Sequence, residues 1–421
     1  MEKLKGAFII GQSGGPTSVI NASVQGCIEA ALKSDCITRV FGASHGIRGI
    51  LDDRLYDMRL EDPEEIKRMQ YTPSAIFGSC RYKLADPLTD ETDYQRLLDV
   101  FKKYDVRYFF YNGGNDSMDT CSKISAYLAQ KGYECRVMGI PKTIDNDLDL
   151  TDHCPGYGSA AKYVATTCME VGLDAKAYGE GSITVVEIMG RNAGWLTAAS
   201  AVAKLYGSGP DLIYLPEIPF DLADFIADVK RIYDKQKDVM VAVSEGIMDK
   251  NGTYISSYFS ETAKDKDAFG HAQMGGLAAS LSNFANANFT SAKIKAKVRG
   301  IEFSLLQRCA SHSASKTDIE EAYLAGKTAF EAAESGISDM MVAFKRVPGP
   351  VYKCETELVD LVDVANAEKK VPREWINAAG NGMLEPFFEY VLPLIQGESE
   401  LEMVDGVPRF AKLKRIMTRE M

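Results

Sequence analysis

The sequence lacks the features that mark several classes of protein. Its nine cysteines include no Cys-x-x-Cys pair, no apolar run approaches ~18 residues, and there is no run of basic residues. These absences argue against a disulfide framework, a cysteine zinc site and a membrane-spanning helix. The formal charge of -11 argues against non-specific nucleic-acid binding. Because the chain also starts without the long apolar segment of a signal peptide, we expect a cytoplasmic protein.

Two further kinds of site are disfavoured by the spacing of the residues. The histidines show no metal-ligand spacing, and we interpret them as core or surface residues, with His312 close enough to Arg308 in the chain to touch an anion. Residues 326–328, Gly-Lys-Thr, resemble the end of a Walker A loop, but Glu321 stands where its first glycine belongs. A helical pattern continues through these residues, so we predict ordinary helix there. The histidines are His45, His153, His271 and His312.

The composition is that of an ordinary globular protein, with 46% hydrophobic and 25% charged residues in a length that allows two or three domains. Residues 6–10 read as a buried strand, residues 11–15 as a glycine turn, and Pro16 opens a helix. The free N–H groups at the start of such a helix suit an anion, whereas a tight turn without a ligand is the alternative. The glycines do not follow the Gly-x-Gly-x-x-Gly order, which disfavours a nicotinamide cofactor.

The same order of strand, loop and helix recurs along the chain. Predicted strands at 106–111 and 135–140 precede polar loops, and a second set of strands follows. Because loops at the carboxyl ends of parallel strands share one edge of the sheet, we expect these loops to line one cleft. The pattern predicts an α/β fold of two doubly wound, mostly parallel sheet domains that face each other across a cleft. We assign residues 1–155 with about 309–375 to one domain and 156–308 with about 376–421 to the other.

The loop at 141–147 carries the clearest chemistry. It reads Pro-Lys-Thr-Ile-Asp-Asn-Asp, and in extended geometry Asp145 and Asp147 point to one side, with Lys142 just before them. Phosphoryl transfer needs a base for the attacking hydroxyl, oxygen ligands for Mg²⁺ and cations that balance the charge of the moving group. A solvated Asn/Asp turn is the alternative, and the heptad alone does not decide between the two.

With these loops placed, the chain resembles the phosphofructokinase family, and within it the pyrophosphate-dependent branch. The motifs that carry the resemblance are the glycine pair of the first loop, Gly-Gly-x-x-Ser at 113–117, the heptad, Met-Gly-Arg at 189–191 and Glu-Gly at 245–246, followed by arginine segments. They span roughly residues 6–345. The resemblance implies reversible transfer of phosphate from pyrophosphate to the 1-hydroxyl of fructose 6-phosphate with Mg²⁺, a donor and Mg²⁺ domain opposite a sugar-phosphate domain, and a homodimer or homotetramer.

The resemblance also implies a role for each candidate residue. Asp145 would be the base, and Lys142 and Arg191 would complete the catalytic set. The phosphoryl donor would contact Gly14, Gly15, Arg81, Asp116 and Lys142. The sugar phosphate would contact Thr143, Asp145, Met189, Gly190, Arg191, Glu245 and Arg308, and Arg299 would reach in from a neighbouring subunit. The metal ligands would be Asn115 and Asp147.

Two positions bear on the choice of donor, because ATP-using relatives carry glycine where Asp116 and Lys142 stand. An ATP-dependent kinase of the same fold is therefore the nearest rival, and a non-catalytic sugar-phosphate sensor is the rival from another class. A sensor has no need of a base such as Asp145. The chain also departs from the family pattern, since Asn115, Ser182 and Leu305 replace an aspartate, an arginine and a polar residue.

Overall fold

The computed structural model describes residues 3–177, 179–259, 276–365 and 367–418, so His271 lies outside the described residues. The larger sheet of this part of the chain is parallel through its centre and antiparallel at both edges. Its seven strands follow the order β11 (Cys354–Asp360), β10 (Met340–Arg346), β5 (Arg136–Pro141), β4 (Val106–Gly113), β1 (Gly6–Gln12), β2 (Ile37–Ala43) and β3 (Leu55–Asp57).

The smaller sheet is parallel throughout. Its described strands follow the order β7 (Leu212–Tyr214), β8 (Asp238–Ser244), β6 (Ser182–Ile188) and β9 (Lys297–Glu302). A short antiparallel pair, β12 (Met403–Val404) and β13 (Val407–Pro408), lies in the C-terminal segment. The central strands are buried along nearly their whole length, as expected for parallel sheets that are covered on both faces.

The helices lie on both faces of each sheet. On β1, Phe8 and Ile10 pack on one face with the helices around Val24 and Phe330, while Ala7 and Ile9 pack on the other face. The predicted doubly wound α/β class is therefore confirmed. The described α-helices are α1 (Ile20–Leu32), α2 (Ile47–Leu51), α3 (Pro63–Arg68), α4 (Thr92–Tyr104), α5 (Asn115–Gln130), α6 (Tyr157–Ala175), α7 (Trp195–Ala199), α8 (Val202–Leu205), α9 (Leu222–Gln236), α10 (Leu277–Ser291), α11 (Leu306–Cys309), α12 (Lys316–Glu334), α13 (Leu361–Val364) and α14 (Glu385–Val391).

The Gly-Lys-Thr triplet at 326–328 lies inside α12, which confirms that it is ordinary helix. A Cβ on Gly326 would collide with the carbonyl oxygen of Ser23 in α1. This glycine is thus required for the close approach of α1 and α12, and it does not form a phosphate loop.

The C-terminal segment contacts both sheets. Tyr390 in α14 packs in the cluster beside α6, whereas Leu413 and Met417 pack against the cluster that contains Phe8. Met417 also forms an isolated antiparallel bridge with Tyr56 of β3. The boundaries that we assign to the two domains stay a prediction.

All nine cysteines are unpaired thiols, in agreement with the absence of a disulfide framework. Among the helices of the described ranges, none is long and apolar enough to cross a membrane.

Candidate active site

A cavity of about 680 Å³ lies where the carboxyl ends of the parallel strands of the two sheets face each other. Loops that follow β1, β4 and β5 form one wall, and loops that follow β6 and β8 form the other. This arrangement is the one expected from the alternation of strands and helices. The lining residues are Ser13, Gly14, Gly15, Pro16, Arg81, Lys83, Gly114, Asn115, Asp116, Ser117, Lys142, Thr143, Ile144, Asp145, Asp147, Met189, Arg191, Asn192, Glu245, Arg308 and Glu368.

The turn after β1 is shaped by two glycines that cations approach closely. Gly14 has a φ of +73°, and a Cβ built on it would lie 3.3 Å from Nζ of Lys142. A Cβ on Gly15 would lie 2.9 Å from a guanidinium nitrogen of Arg308. The absence of side chains here lets both cations come close to the backbone of the turn, and an anion bound at the turn would meet them directly.

Lys142 is the most buried cation of the cavity wall. Its side chain is 3% exposed, and Nζ donates a hydrogen bond of 2.7 Å to the carbonyl oxygen of Gly15. Burial lowers the pKa of Lys142 to about 8, against the opposing attraction of Asp145. A bound polyanion would therefore stabilise the charged form of this lysine.

The two aspartates of the 141–147 loop, Asp145 and Asp147, both line the cavity. Partial removal from water raises the pKa of Asp145, while Arg191, Lys142 and Arg308 act against this rise. Burial also raises the pKa of Asp147, and repulsion by Asp145 raises it further. Asp145 thus faces a cluster of cations, whereas Asp147 carries a negative charge that is poorly compensated.

This charge distribution fits a divalent metal ion. Two carboxylates that repel each other in a partly dry site are stabilised by a hard cation, and oxygen atoms are the ligands that such a cation prefers. Asn115, at the start of α5, lines the same cavity, and its Nδ2 donates to the carbonyl oxygen of Ala367. An amide in this orientation would ligate a metal through Oδ1.

The opposite wall holds the residues predicted to contact the sugar phosphate. Met189, Arg191 and Glu245 line the cavity together with Arg308. Burial raises the pKa of Glu245 to about 7, with further repulsion from Asp145, while Arg191 lowers it. Gly190 does not line the cavity; its carbonyl oxygen accepts a hydrogen bond from Ser244, which fixes the turn that presents Arg191.

Arg299 is the predicted site residue that the structure places elsewhere. It lies on β9, outside the cavity, and forms an ion pair of 3.4 Å with Asp174. Because the resemblance assigns this arginine to a neighbouring subunit's site, its position in a single chain leaves that role a prediction. Thr143 does line the cavity, and its Oγ1 accepts a hydrogen bond of 3.1 Å from the backbone N–H of Asp145.

Several lining residues were not identified from the sequence. Ser13 and Ser117 follow β1 and β4 in segments that also carry predicted site residues. The strand and loop pattern that identified those residues could therefore have identified both serines. Asn192 and Glu368 form a hydrogen bond of 2.7 Å that joins the wall after β6 to the C-terminal segment. Glu368 lies in a segment without a recognisable motif, and nothing in the local pattern indicated it.

His153 illustrates a cluster that spacing along the chain could not reveal. Its ring nitrogens lie 2.9 Å from Asp152 and 2.8 Å from Glu321, and Cys354 is close enough to form a three-residue group of possible metal ligands. Burial lowers the pKa of His153, but Glu321 and Asp152 outweigh this effect and raise it to about 9. Since both ring nitrogens bind carboxylates, the arrangement is that of a buried imidazolium rather than of a metal ligand.

Comparisons with known proteins find similarity over nearly the whole chain. The family model for phosphofructokinase matches residues 7–296. The chain is 43% identical to the pyrophosphate--fructose 6-phosphate 1-phosphotransferase of Halomonas elongata, over 96% of this chain and 95% of that protein. It is 41% identical to the protein of the same name from Xanthomonas campestris pv. campestris, over 98% and 97% of the two chains. The crystal structure of the pyrophosphate-dependent phosphofructokinase from Nitrosospira multiformis is similar with a TM-score of 0.87 and 37% identity, and the match covers 98% of each chain.

Proposed function

The chain belongs to the phosphofructokinase family, and from this membership we propose that it transfers a phosphoryl group from pyrophosphate to the 1-hydroxyl of fructose 6-phosphate. The enzyme is a phosphotransferase, and its products are fructose 1,6-bisphosphate and phosphate. The observation that carries this proposal is the contact of the Lys142 ammonium with the backbone of the Gly14-Gly15 turn. In this proposal the Lys142 cation lies where the phosphoryl donor would bind, and Asp145 of the same loop is the base.

The reaction can be written with the groups of this chain. Asp145 accepts the proton of the 1-hydroxyl, and the hydroxyl oxygen attacks one phosphorus of pyrophosphate. A new O–P bond forms, the bridging P–O bond breaks, and its electron pair leaves with phosphate. Arg191 and Lys142 face Asp145 and would stabilise the charge that develops on the phosphoryl oxygens. Because the donor is pyrophosphate, the reaction lacks the large driving force that a nucleotide donor supplies. We therefore expect it to run readily in both directions, as a step of glycolysis.

A divalent metal ion belongs to the chemistry of this family, and we propose Mg²⁺ in this chain. Asp147 and Asn115 would hold it, through a carboxylate and an amide oxygen respectively. When bound, the ion neutralises charge on the phosphoryl donor. Asn115 supplies no negative charge where the family usually has aspartate, so Asp147 would contribute most of the electrostatic attraction.

The donor is chosen by Asp116 and Lys142 in this proposal. Asp116 lies in the first turn of α5 and lines the cavity, so its carboxylate would repel the α-phosphate of a nucleotide. Gly14, Gly15 and Arg81 would contact the bound pyrophosphate. An ATP-dependent kinase is disfavoured on this ground, and a sugar-phosphate sensor is disfavoured because it has no need of a base such as Asp145.

The sugar phosphate would bind between the two sheets. Arg308 would grip its 6-phosphate, and Glu245, Met189 and Thr143 would contact the sugar. We further propose a cytoplasmic homodimer or homotetramer, in which Arg299 of one subunit completes the site of another. The larger sheet would then form the donor domain, and the smaller sheet the sugar-phosphate domain.

One assay tests the proposed function. Purified enzyme with fructose 6-phosphate and Mg²⁺ is given pyrophosphate or ATP, and the formation of fructose 1,6-bisphosphate is measured. We expect kcat/KM for pyrophosphate to exceed that for ATP by about a hundredfold. A preference for ATP, or no turnover with either donor, would contradict the proposal.

A further inference from the structure

The loop that carries Asp145 and Asp147 is held from behind by the C-terminal segment. Between the two aspartates, Asn146 is fully buried and has a φ of +55°. Its Oδ1 accepts a hydrogen bond of 2.9 Å from the N–H of Cys154, and its Nδ2 donates one of 2.7 Å to the hydroxyl of Tyr390. The left-handed conformation of Asn146 sets the directions in which the flanking aspartates point. By binding Asn146, the Tyr390 hydroxyl therefore helps to set the orientation of both Asp145 and Asp147.

Tyr390 makes a second contact with the same loop. Its hydroxyl donates a hydrogen bond of 2.8 Å to the carbonyl oxygen of Asp152. The aromatic ring is fixed by its neighbours, since the ring centroids of Trp195 and Trp375 lie 5.2 Å and 5.4 Å away. One hydroxyl on a fixed ring thus joins the two ends of the loop, at Asn146 and at Asp152.

Lys369 binds the same carbonyl group as Tyr390, that of Asp152. Its Nζ donates to the carbonyl oxygens of Asp152, at 2.8 Å, and Thr151, at 2.9 Å. Its backbone N–H donates to the carbonyl oxygen of Asp147, at 2.8 Å, and its own carbonyl oxygen accepts from the indole of Trp195, at 2.9 Å. Lys369 therefore connects the loop of the larger sheet to α7 of the smaller one.

We propose that Tyr390 and Lys369 are positioning residues for phosphoryl transfer, which hold the 145–152 backbone so that Asp145 stays within hydrogen-bond reach of the attacking hydroxyl. The inference rests on the proposed function, because it takes Asp145 as the base. It assigns a role in catalysis to a part of the chain that lies beyond residues 7–296, the region matched by the family model.

Such a role has a kinetic signature. The cations that would bind the substrate phosphates, Lys142 and Arg308, contact the Gly14-Gly15 turn and make no hydrogen bond to either positioning residue. Loss of a positioning residue should therefore leave the binding of both substrates nearly intact. Proton transfer requires a heavy-atom distance of about 2.6–3.2 Å, and a misplacement of about 1 Å can cost about a hundredfold in rate. The effect should appear in kcat and not in KM.

The first experiment compares Tyr390→Phe with Tyr157→Phe. Tyr157 is a matched control, because it is fully buried in the same aromatic cluster and its hydroxyl donates to the carbonyl oxygen of Trp195, away from the catalytic loop. We expect kcat of Tyr390→Phe to fall by about 10- to 100-fold, with each KM changed by less than about threefold. Tyr157→Phe should keep kcat within about twofold. The melting temperature and the emission of the two tryptophans monitor the fold of both variants.

The second experiment compares Lys369→Met with Lys162→Met. Lys162 also binds a carbonyl oxygen of the C-terminal segment, that of Gly397 at 2.6 Å, but it does not touch the loop. We expect the same loss of kcat for Lys369→Met and none for Lys162→Met. Because Tyr390 and Lys369 share the carbonyl oxygen of Asp152, the double variant should lose less than the product of the two single losses.

The outcome that overturns the proposal is a Tyr390→Phe enzyme with kcat within twofold of the wild type, or control variants that lose as much kcat at an equal loss of melting temperature. If Tyr390→Phe does not fold, the lysine pair decides by the same criteria. All rates are measured with whichever donor the wild type uses. A wild type without pyrophosphate activity would contradict the proposed function, whereas the ratio of variant to wild type would still test Tyr390 and Lys369.

Discussion

Removal of the two side chains that we connect with donor choice should change the phosphoryl donor. Lys142 donates to the carbonyl oxygen of Gly15 at 2.7 Å, and Asp116 lines the same cavity from the first turn of α5. Lys142→Gly alone should disable the pyrophosphate reaction without creating ATP activity, because Asp116 still repels a nucleotide. Asp116→Gly alone should admit the nucleotide but leave the lysine placed for the shorter donor. The double variant should favour ATP most.

The magnitude follows from Coulomb's law. A like-charge contact at ~4 Å costs about 1 kcal/mol in water and about 4 kcal/mol at an effective dielectric constant of ~20. Asp116 is partly buried, so the cost lies between these values and corresponds to a factor of about 5 to 1000 against ATP. Loss of the Lys142 charge should lower kcat for pyrophosphate by a factor of about 100 to 1000, as expected for one preorganised cation at the transferring group.

The assay is the ratio of kcat/KM for ATP to that for pyrophosphate in the wild type, both single variants and the double variant. Asp119→Gly is the matched control, because Asp119 lies one turn further along α5, where it pairs with Lys123 at 2.6 Å and does not line the cavity. It loses the same charge and gains the same glycine in the helix. The reasoning is refuted if the wild type prefers ATP, if the double variant leaves the ratio unchanged, or if Asp119→Gly shifts it as much as Asp116→Gly.

Three further measurements test the site and the fold. Asp145→Asn should lose a factor of at least about 10² to 10⁴ in kcat while still binding sugar phosphate in a direct titration, and an equally active variant would refute its role as base. ADP and phosphoenolpyruvate should have little effect on the rate, because Gln25 and Glu29 stand on α1 at positions where nucleotide-regulated relatives carry arginines. The side chains of Gln25 and Glu29 are hydrogen-bonded to each other at 2.8 Å. Sigmoidal kinetics relieved by ADP would contradict this prediction. The pKa of His153 is raised to about 9, so the buried imidazolium should stabilise the fold below its ordinary pKa of about 6.5, and this contribution, on the order of 3 kcal/mol, should be lost as the pH rises through 9. Melting temperatures between pH 6.5 and 9.5 should therefore fall more steeply in the wild type than in His153→Gln, and parallel curves would rule the contribution out.

Much of the site could be predicted from local pattern. Gly14, Asp116, Asp145, Arg191 and Glu245 each follow a strand that the hydrophobic runs and glycine loops indicated. Parallel strands align their carboxyl ends at one edge of a sheet, so residues far apart in the chain had to meet once the strands were assigned. The chemistry of the 141–147 heptad and the resemblance of the ordered motifs then indicated phosphoryl transfer.

The sequence by itself determined the α/β class, the loops that form the cavity and most residues that line it, because these depend on periodicity, turn residues and strand direction. Only the tertiary structure decided which groups hold the loop that carries Asp145 and Asp147. Asn146 and Tyr390 are 244 residues apart, and Lys369 lies in a segment without a motif. A hydrogen bond between such residues depends on how the C-terminal segment packs on both sheets, and no local period or spacing along the chain encodes that packing.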